Sequence, residues 1–268
     1  AHYDLGNQFY ELWLDKSMTY SSAYFGSNNL SLKEAQENKY KKISQMVDLK
    51  KQNNVLEIGC GWGGFAEYAS KNYKSLLTAI TISKEQYEFS KKRIDKNGLS
   101  NSVNIKLIDY RKIRGSFDRI VSIEMIEAVG EKYWPIYFNQ IKNLLKPNGK
   151  AAIQVITIDD RYFDGYKKFP DFIQKYIFPG GLLPSMQVLE KPISQSGLKI
   201  DKVDSFGKDY ASTLSIWKKQ FNKAWPKISK LGFDEKFYRI WNLYLCYCEG
   251  GFRSGSIDVK QIKLLPLD

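Results

Sequence analysis

Between Asn54 and Ile158 short apolar runs alternate with longer amphipathic stretches, a pattern that few folds accept. NVLEIG, LLTAITI, VNIKLID, FDRIVSI and KAAIQVITI have the form of strands buried in a sheet. GFAEYASKNY, KEQYEFSKKRIDKNG and YWPIYFNQIKNLL between them read as helices; Gly98 closes the second, and KPNG follows the third as a stop and turn. Strands alternating with helices imply an α/β, doubly wound, mostly parallel Rossmann-like sheet with right-handed crossovers. LKIDKVDSF (198–206) and SIDVKQIKLL (256–265) add two late strands around an aromatic helix at 234–252, which makes the predicted sheet seven-stranded.

SLKEAQENKYKKISQMVDL opens with a capping box, Ser31 and Glu34, and Ile43, Met46 and Val47 give it one apolar face. Residues 1–50 are therefore expected to form an N-terminal helical cap on a core at 51–158. From 159 to 195 the alternation stops. RYFDGYKKFPDFIQKYIFPGGLLPS is aromatic and broken by Pro170, Pro179, Gly180, Gly181 and Pro184. It is too long and too apolar for an ordinary connector, so a lid or substrate-binding insertion after the fifth strand is expected, with a packed connector as the bland alternative. Residues 196–268 complete a single domain spanning 1–268. The first residue is Ala1 rather than Met, so a further N-terminal region of the full protein is expected.

The 268 residues are 43% hydrophobic and 15% aromatic, enough for a substantial core. No window approaches the ~20 apolar residues of a membrane span, which predicts a soluble or peripheral protein. Cys60, Cys246 and Cys248 are odd in number and lack metal-type spacing, which favours a reducing cytoplasm without a disulfide framework. His2 is the only histidine, which excludes His-rich metal sites and weakens any Ser-His-Asp triad. The net charge of +12 suits a polyanion, either nucleic acid or an anionic lipid surface. It also suits a lysine-rich background, because Lys41-Lys42, Lys50-Lys51, Lys167-Lys168 and Lys218-Lys219 are scattered.

LEIGCGWGG places Gly59, Gly61, Gly63 and Gly64 between the first strand and a helix, where bare backbone amides can approach a ligand. The acidic Glu57 precedes the loop, and the spacing is E-x-G-x-G rather than G-x-G-x-x-G. That loop resembles the cofactor loop of class I S-adenosylmethionine (SAM) methyltransferases. A nicotinamide enzyme would carry a third glycine and an acid ending the second strand, where this chain has TISKEQ. After the fourth strand there is no D-P-P-Y, N-P-P-Y or Pro-Cys sequence, so base methylation on DNA is disfavoured and no nucleic-acid partner is expected.

What stands there instead is EMIEAVG. Together with HYDLGNQFYELWLDKSMTYSSAYF (2–25), TISKEQ, DYR (109–111), YIFPGGLLPS and DYASTLSIW, it resembles the cyclopropane-fatty-acyl-phospholipid synthases and their mycolic-acid relatives, across nearly the whole chain. The resemblance implies transfer of the SAM methyl to the double bond of an unsaturated phospholipid acyl chain. A carbocation then loses a proton to a base, giving a cyclopropane or a methylene or methyl branch. It implies SAM contacts at Tyr20, Ser21, Gly59, Gly61, Thr81, Ile82, Gln86, Asp109 and Tyr110. It also implies a bicarbonate ion serving as base, held at positions that are Ser22, Glu127, Gln154, Ile156 and Tyr210 in this chain. Ser22, Ala128 and Gln154 replace a cysteine and two histidines of the family pattern, so bicarbonate stays open and Glu127 becomes the direct base candidate. Glu124 is expected to be at most a SAM contact or a supporting residue.

Tyr20, Tyr24, Phe25, Trp134, Phe178 and Tyr210 are the aromatic candidates for a lining that tolerates a cation. The expected setting is the inner face of the membrane, with cations collecting the protein on anionic phospholipid and the lid receiving an acyl chain; a homodimer is left open. Two other readings remain. One is a SAM-dependent N-methyltransferase of a small amine, and the other is a SAM- or lipid-binding module without turnover.

Overall fold

The NVLEI run forms the central strand β1 (Asn54–Ile58) in a computed structural model that describes residues 5–26 and 29–267. His2, at the start of the opening motif, lies outside the described residues. β2 (Leu76–Thr81) and β3 (Val103–Leu107) lie parallel on one side of β1; β4 (Phe117–Ile123) and β5 (Leu145–Ile158) lie parallel on the other. β6 (Leu198–Ser205) and β7 (Ile257–Pro266) complete the order β3-β2-β1-β4-β5-β7-β6, both antiparallel to their neighbours. The expected seven-stranded, mostly parallel sheet is therefore present. The chain reverses its winding between β1 and β4, and the crevice beyond the carboxyl ends at such a reversal is where these sheets bind ligands.

Successive side chains of β1 serve opposite faces. Val55 joins a cluster with α2 (Leu32–Met46), α3 (Gly64–Tyr73) and α4 (Lys84–Lys96). Leu56 and Ile58 join another with α5 (Trp134–Leu144) and α7 (Met186–Gln195). A third cluster is largely aromatic and gathers α1 (Asn7–Glu11), α8 (Gly207–Ile228) and α9 (Glu235–Ser254) around Trp13, Trp217 and Trp241. The expected cap is α1 and α2, and α2 carries the predicted capping box, with Ser31 and Glu34 bonded reciprocally.

Three features differ from expectation. KPNG does not separate α5 from the fifth strand; β5 starts at Leu145, and the turn is absorbed as an irregularity, with Asn148 at φ 62°. α8 is not predicted by the sequence pattern; Trp217, Phe221 and Trp225 on it pack into the aromatic cluster rather than a simple core stripe. Within the 159–195 stretch, α7 packs Leu189 and Ile193 into the α5 cluster as an ordinary crossover helix, so the irregular part is α6 (Asp160–Lys168), a wide turn at Ile173–Ile177, and residues 178–185. Among the described residues no helix is long and apolar enough to cross a membrane.

Candidate active site

The loops after β1, β2, β3 and β4 enclose a cavity of about 370 Å³ at the carboxyl edge of the sheet. Every residue expected to hold SAM lines it: Tyr20, Ser21, Glu57, Gly59, Gly61, Thr81, Ile82, Gln86, Asp109 and Tyr110. The glycine loop is built for close approach. Gly59 has φ 81°, and a Cβ there would lie 2.8 Å from Met125 Cγ. Thr81 Oγ1 pairs with Gln86 Oε1 at 2.9 Å, which leaves the Gln86 amide NH₂ for a ligand. Asp109 accepts from the Arg111 guanidinium, whose pairing holds its carboxyl below the usual carboxylate range. Glu57 Oε2 is buried without a protein partner and offers an acceptor, while desolvation pushes this carboxyl up. These groups fit SAM. They give an amide and carboxylates for its polar ends and bare backbone at the strand-to-helix turn.

The candidates Ser22, Gln154 and Tyr210 meet at the edge of the cavity around Glu124, whereas Ile156 bonds Glu127. Glu124 lines the cavity, and its carboxylate collects three donors. Oε1 accepts from the Ser22 amide at 2.9 Å and Gln154 Nε2 at 2.7 Å, and Oε2 accepts from the Tyr210 hydroxyl at 2.7 Å. Its backbone is at φ 50°, in the left-handed region that costs a non-glycine residue about 1 kcal/mol. The Ser22 hydroxyl, expected as a donor to the site, turns instead to the Ala23 carbonyl at 2.9 Å, so the backbone amide does the binding. Gln154 is oriented in turn by Gln261, whose Nε2 donates to Gln154 Oε1 at 3.0 Å.

Glu127 has a different environment. Oε1 accepts from the Ile156 amide at 2.6 Å, and Oε2 is buried without a partner. Desolvation, together with the charge of Glu124, pushes its carboxyl up to about 8. Glu124 is also raised by desolvation, but Lys39 and its three donors oppose the shift. Both carboxyls are thus raised, and only at Glu124 do a nearby cation and three donors favour the charged form.

Aromatic rings wall this corner. Tyr210 stacks on Phe252 at 4.4 Å, the Tyr20 and Tyr244 hydroxyls bond at 2.8 Å, and Phe178 meets Tyr244 edge-on at 5.9 Å. Trp134, expected in the lining, is instead buried in the α5 cluster because the first turn of that helix faces the sheet. Tyr24 and Phe25 pack at the margin of the aromatic cluster. Sequence reasoning also missed Lys39, Trp62, Met125 and Tyr133, of which the last three line the cavity.

The model of the mycolic acid cyclopropane synthetase family matches residues 1–262. The chain belongs to that family. It is 40% identical over 273 residues to the tuberculostearic acid methyltransferase UfaA1 of Mycobacterium tuberculosis, a match covering 99% of this chain and 64% of that protein. It is 39% identical over 261 residues to the cyclopropane-fatty-acyl-phospholipid synthase of Escherichia coli K12, covering 97% of this chain and 65% of that protein. The chain thus spans just under two thirds of the length of these two relatives. Mycolic acid cyclopropane synthase CmaA1, solved with SAH and CTAB, superposes with a TM-score of 0.92 at 30% identity, covering 98% of this chain and 95% of that one. SAM is the cofactor of this family, and the CmaA1 structure holds SAH.

Proposed function

We propose that the protein transfers the methyl of SAM to the double bond of an unsaturated phospholipid acyl chain, and that Glu124 takes the proton the carbocation releases. The convergence of Ser22, Gln154 and Tyr210 on one carboxylate carries this assignment. By resemblance those positions would hold a bicarbonate ion. In this chain a tethered carboxylate already occupies the donors, so no free ion is required. Glu127, kept neutral, prevents a second negative charge from competing at the same place.

Bound SAM supplies an electrophilic methyl on a sulfonium. The chain's own residues do the rest. The glycine loop and Asp109 fix the ligand, and the carboxylate of Glu124 reaches the cavity. Tyr20, Tyr210, Phe178 and Tyr244 present ring faces and edges that exclude water and tolerate a cation, an interaction worth ~2 kcal/mol when desolvated. Loss of a proton from the new methyl with bond formation to the cationic carbon closes a cyclopropane. If hydride first migrates to that carbon, loss of the same proton leaves a methylene branch.

The acyl chain would reach the site past the aromatic insertion. Phe169 and Tyr176 there are 70% and 67% exposed, and Lys167, Lys168 and Lys175 are close to them in sequence. Incubation with SAM and mixed unsaturated phospholipids, with and without bicarbonate, tests the proposal. NMR of the product should show a ring or a methylene branch in equal yield in both conditions. Absence of any methylated lipid, or strict dependence on bicarbonate, would count against it.

A further inference from the structure

Lys39 is fully buried on α2, although a helix at that position could carry an apolar side chain. Its ammonium donates to Ser21 Oγ at 2.6 Å and lies 4.6 Å from the centre of the Tyr40 ring. Among the described residues no carboxylate stands within ion-pair distance of it. Burying a cation this way costs several kcal/mol unless something compensates. Packing alone gives no reason for it.

The neighbouring bonds supply one. Gln36 Nε2, one turn earlier on the same helix, donates to the Ser21 carbonyl at 2.9 Å. α2 therefore grips Ser21 by its hydroxyl and its carbonyl together. Ser21 lines the SAM cavity, and the next residue, Ser22, gives its amide to Glu124. The charged groups facing Lys39 are Glu124 after β4, Glu57 on β1 and Asp15 after α1, and Tyr40 adjoins it on α2. Those facing Glu124 are Lys39, Glu127 and the hydroxyls of Tyr210 and Tyr244.

We propose that Lys39 is a positioning residue of the methyl-transfer site. It pins the Ser21–Ser22 segment between the cofactor cavity and Glu124, and its charge favours the carboxylate form of Glu124. Desolvation lowers the Lys39 ammonium itself to about 7, opposed by those three carboxylates, so its charge is tied to theirs. The catalytic meaning of this role rests on Glu124 being the proton acceptor.

The test needs no acyl substrate, so it stands apart from the proposed reaction. The protein is labelled with glutamate carrying ¹³C at its side-chain carboxyl, and the Glu124 resonance is identified by its loss in Glu124→Gln. In Lys39→Met, of similar length and without charge, the Glu124 titration midpoint should rise by about one pH unit or more, because a nearby cation has been removed. In Ser21→Ala, which keeps the cation, that midpoint should stay in place while SAM affinity falls roughly three- to tenfold. An unchanged midpoint in a Lys39→Met protein with native circular dichroism would overturn the proposal. If Lys39→Met does not fold, Ser21→Ala decides, and unchanged SAM affinity would overturn it.

Discussion

Glu124 receives three hydrogen bonds on its carboxylate and sits near a buried ammonium, whereas Glu127 receives one and faces the charge of Glu124. Those surroundings oppose the desolvation shift at Glu124 far more than at Glu127, which is the asymmetry the proposed base rests on. A stability effect follows for Glu127. Its folded value near 8 lies above the ordinary carboxylate value, so the folded state binds more protons than the unfolded chain between about pH 4.5 and 8. Stability contributed by this proton is full below that window and is lost as pH rises through it, by at most about 1.4 kcal/mol per pH unit. Urea unfolding of Glu127→Gln should therefore show a gain over wild type that grows from pH 5 to 8; a pH-independent difference would refute the shift. Two acids after the fourth strand were legible in the sequence. Their division was not, because it depends on Gln154, Tyr210 and Lys39, which lie far away along the chain.

At the scale of elements, α2 does more than cover the sheet. Its capping box satisfies the Glu34 and Ser31 amides, and Gln36, Lys39 and Tyr40 further along meet the segment at 19–21. Ser31→Ala should cost about 1 kcal/mol in urea unfolding, and no loss would mean that the cap is not formed in solution. The glycine loop is a second element with a single tolerance. Gly59→Ala would place a methyl 2.8 Å from Met125 Cγ at a positive φ. SAM affinity, measured by calorimetry, should fall at least tenfold; an unchanged value would contradict the close approach. The alternation of strands and helices and the capping box could be read from local periodicity. The polar residues of α2 could not be placed from composition. Gln36 and Lys39 look solvent-facing by composition, yet they are fully buried against a site built by other segments.

Over the whole molecule, the proposed approach to an anionic lipid surface rests on a net charge of +12 and an insertion exposing Phe169 and Tyr176. Sedimentation with anionic phospholipid vesicles should be strong at low salt and decline steeply toward 0.5 M, roughly where the Debye length falls below 5 Å. Phe169→Ser with Tyr176→Ser should weaken what remains. Binding to neutral vesicles with equal strength would contradict an electrostatic contribution. The residues expected to hold SAM, though scattered along the chain, come together around one cavity. The lid boundary was not, because α7 becomes a crossover helix only through Leu189 and Ile193 packing against α5.

The base assignment is tested most directly by turnover of Glu124→Gln on unsaturated phospholipid, with SAM binding measured alongside. Glutamine keeps the shape and cannot accept the proton, so kcat should fall by roughly 10²–10⁴ while SAM still binds. Turnover near the wild-type rate would show that the proton goes elsewhere and that Glu124 is not the base.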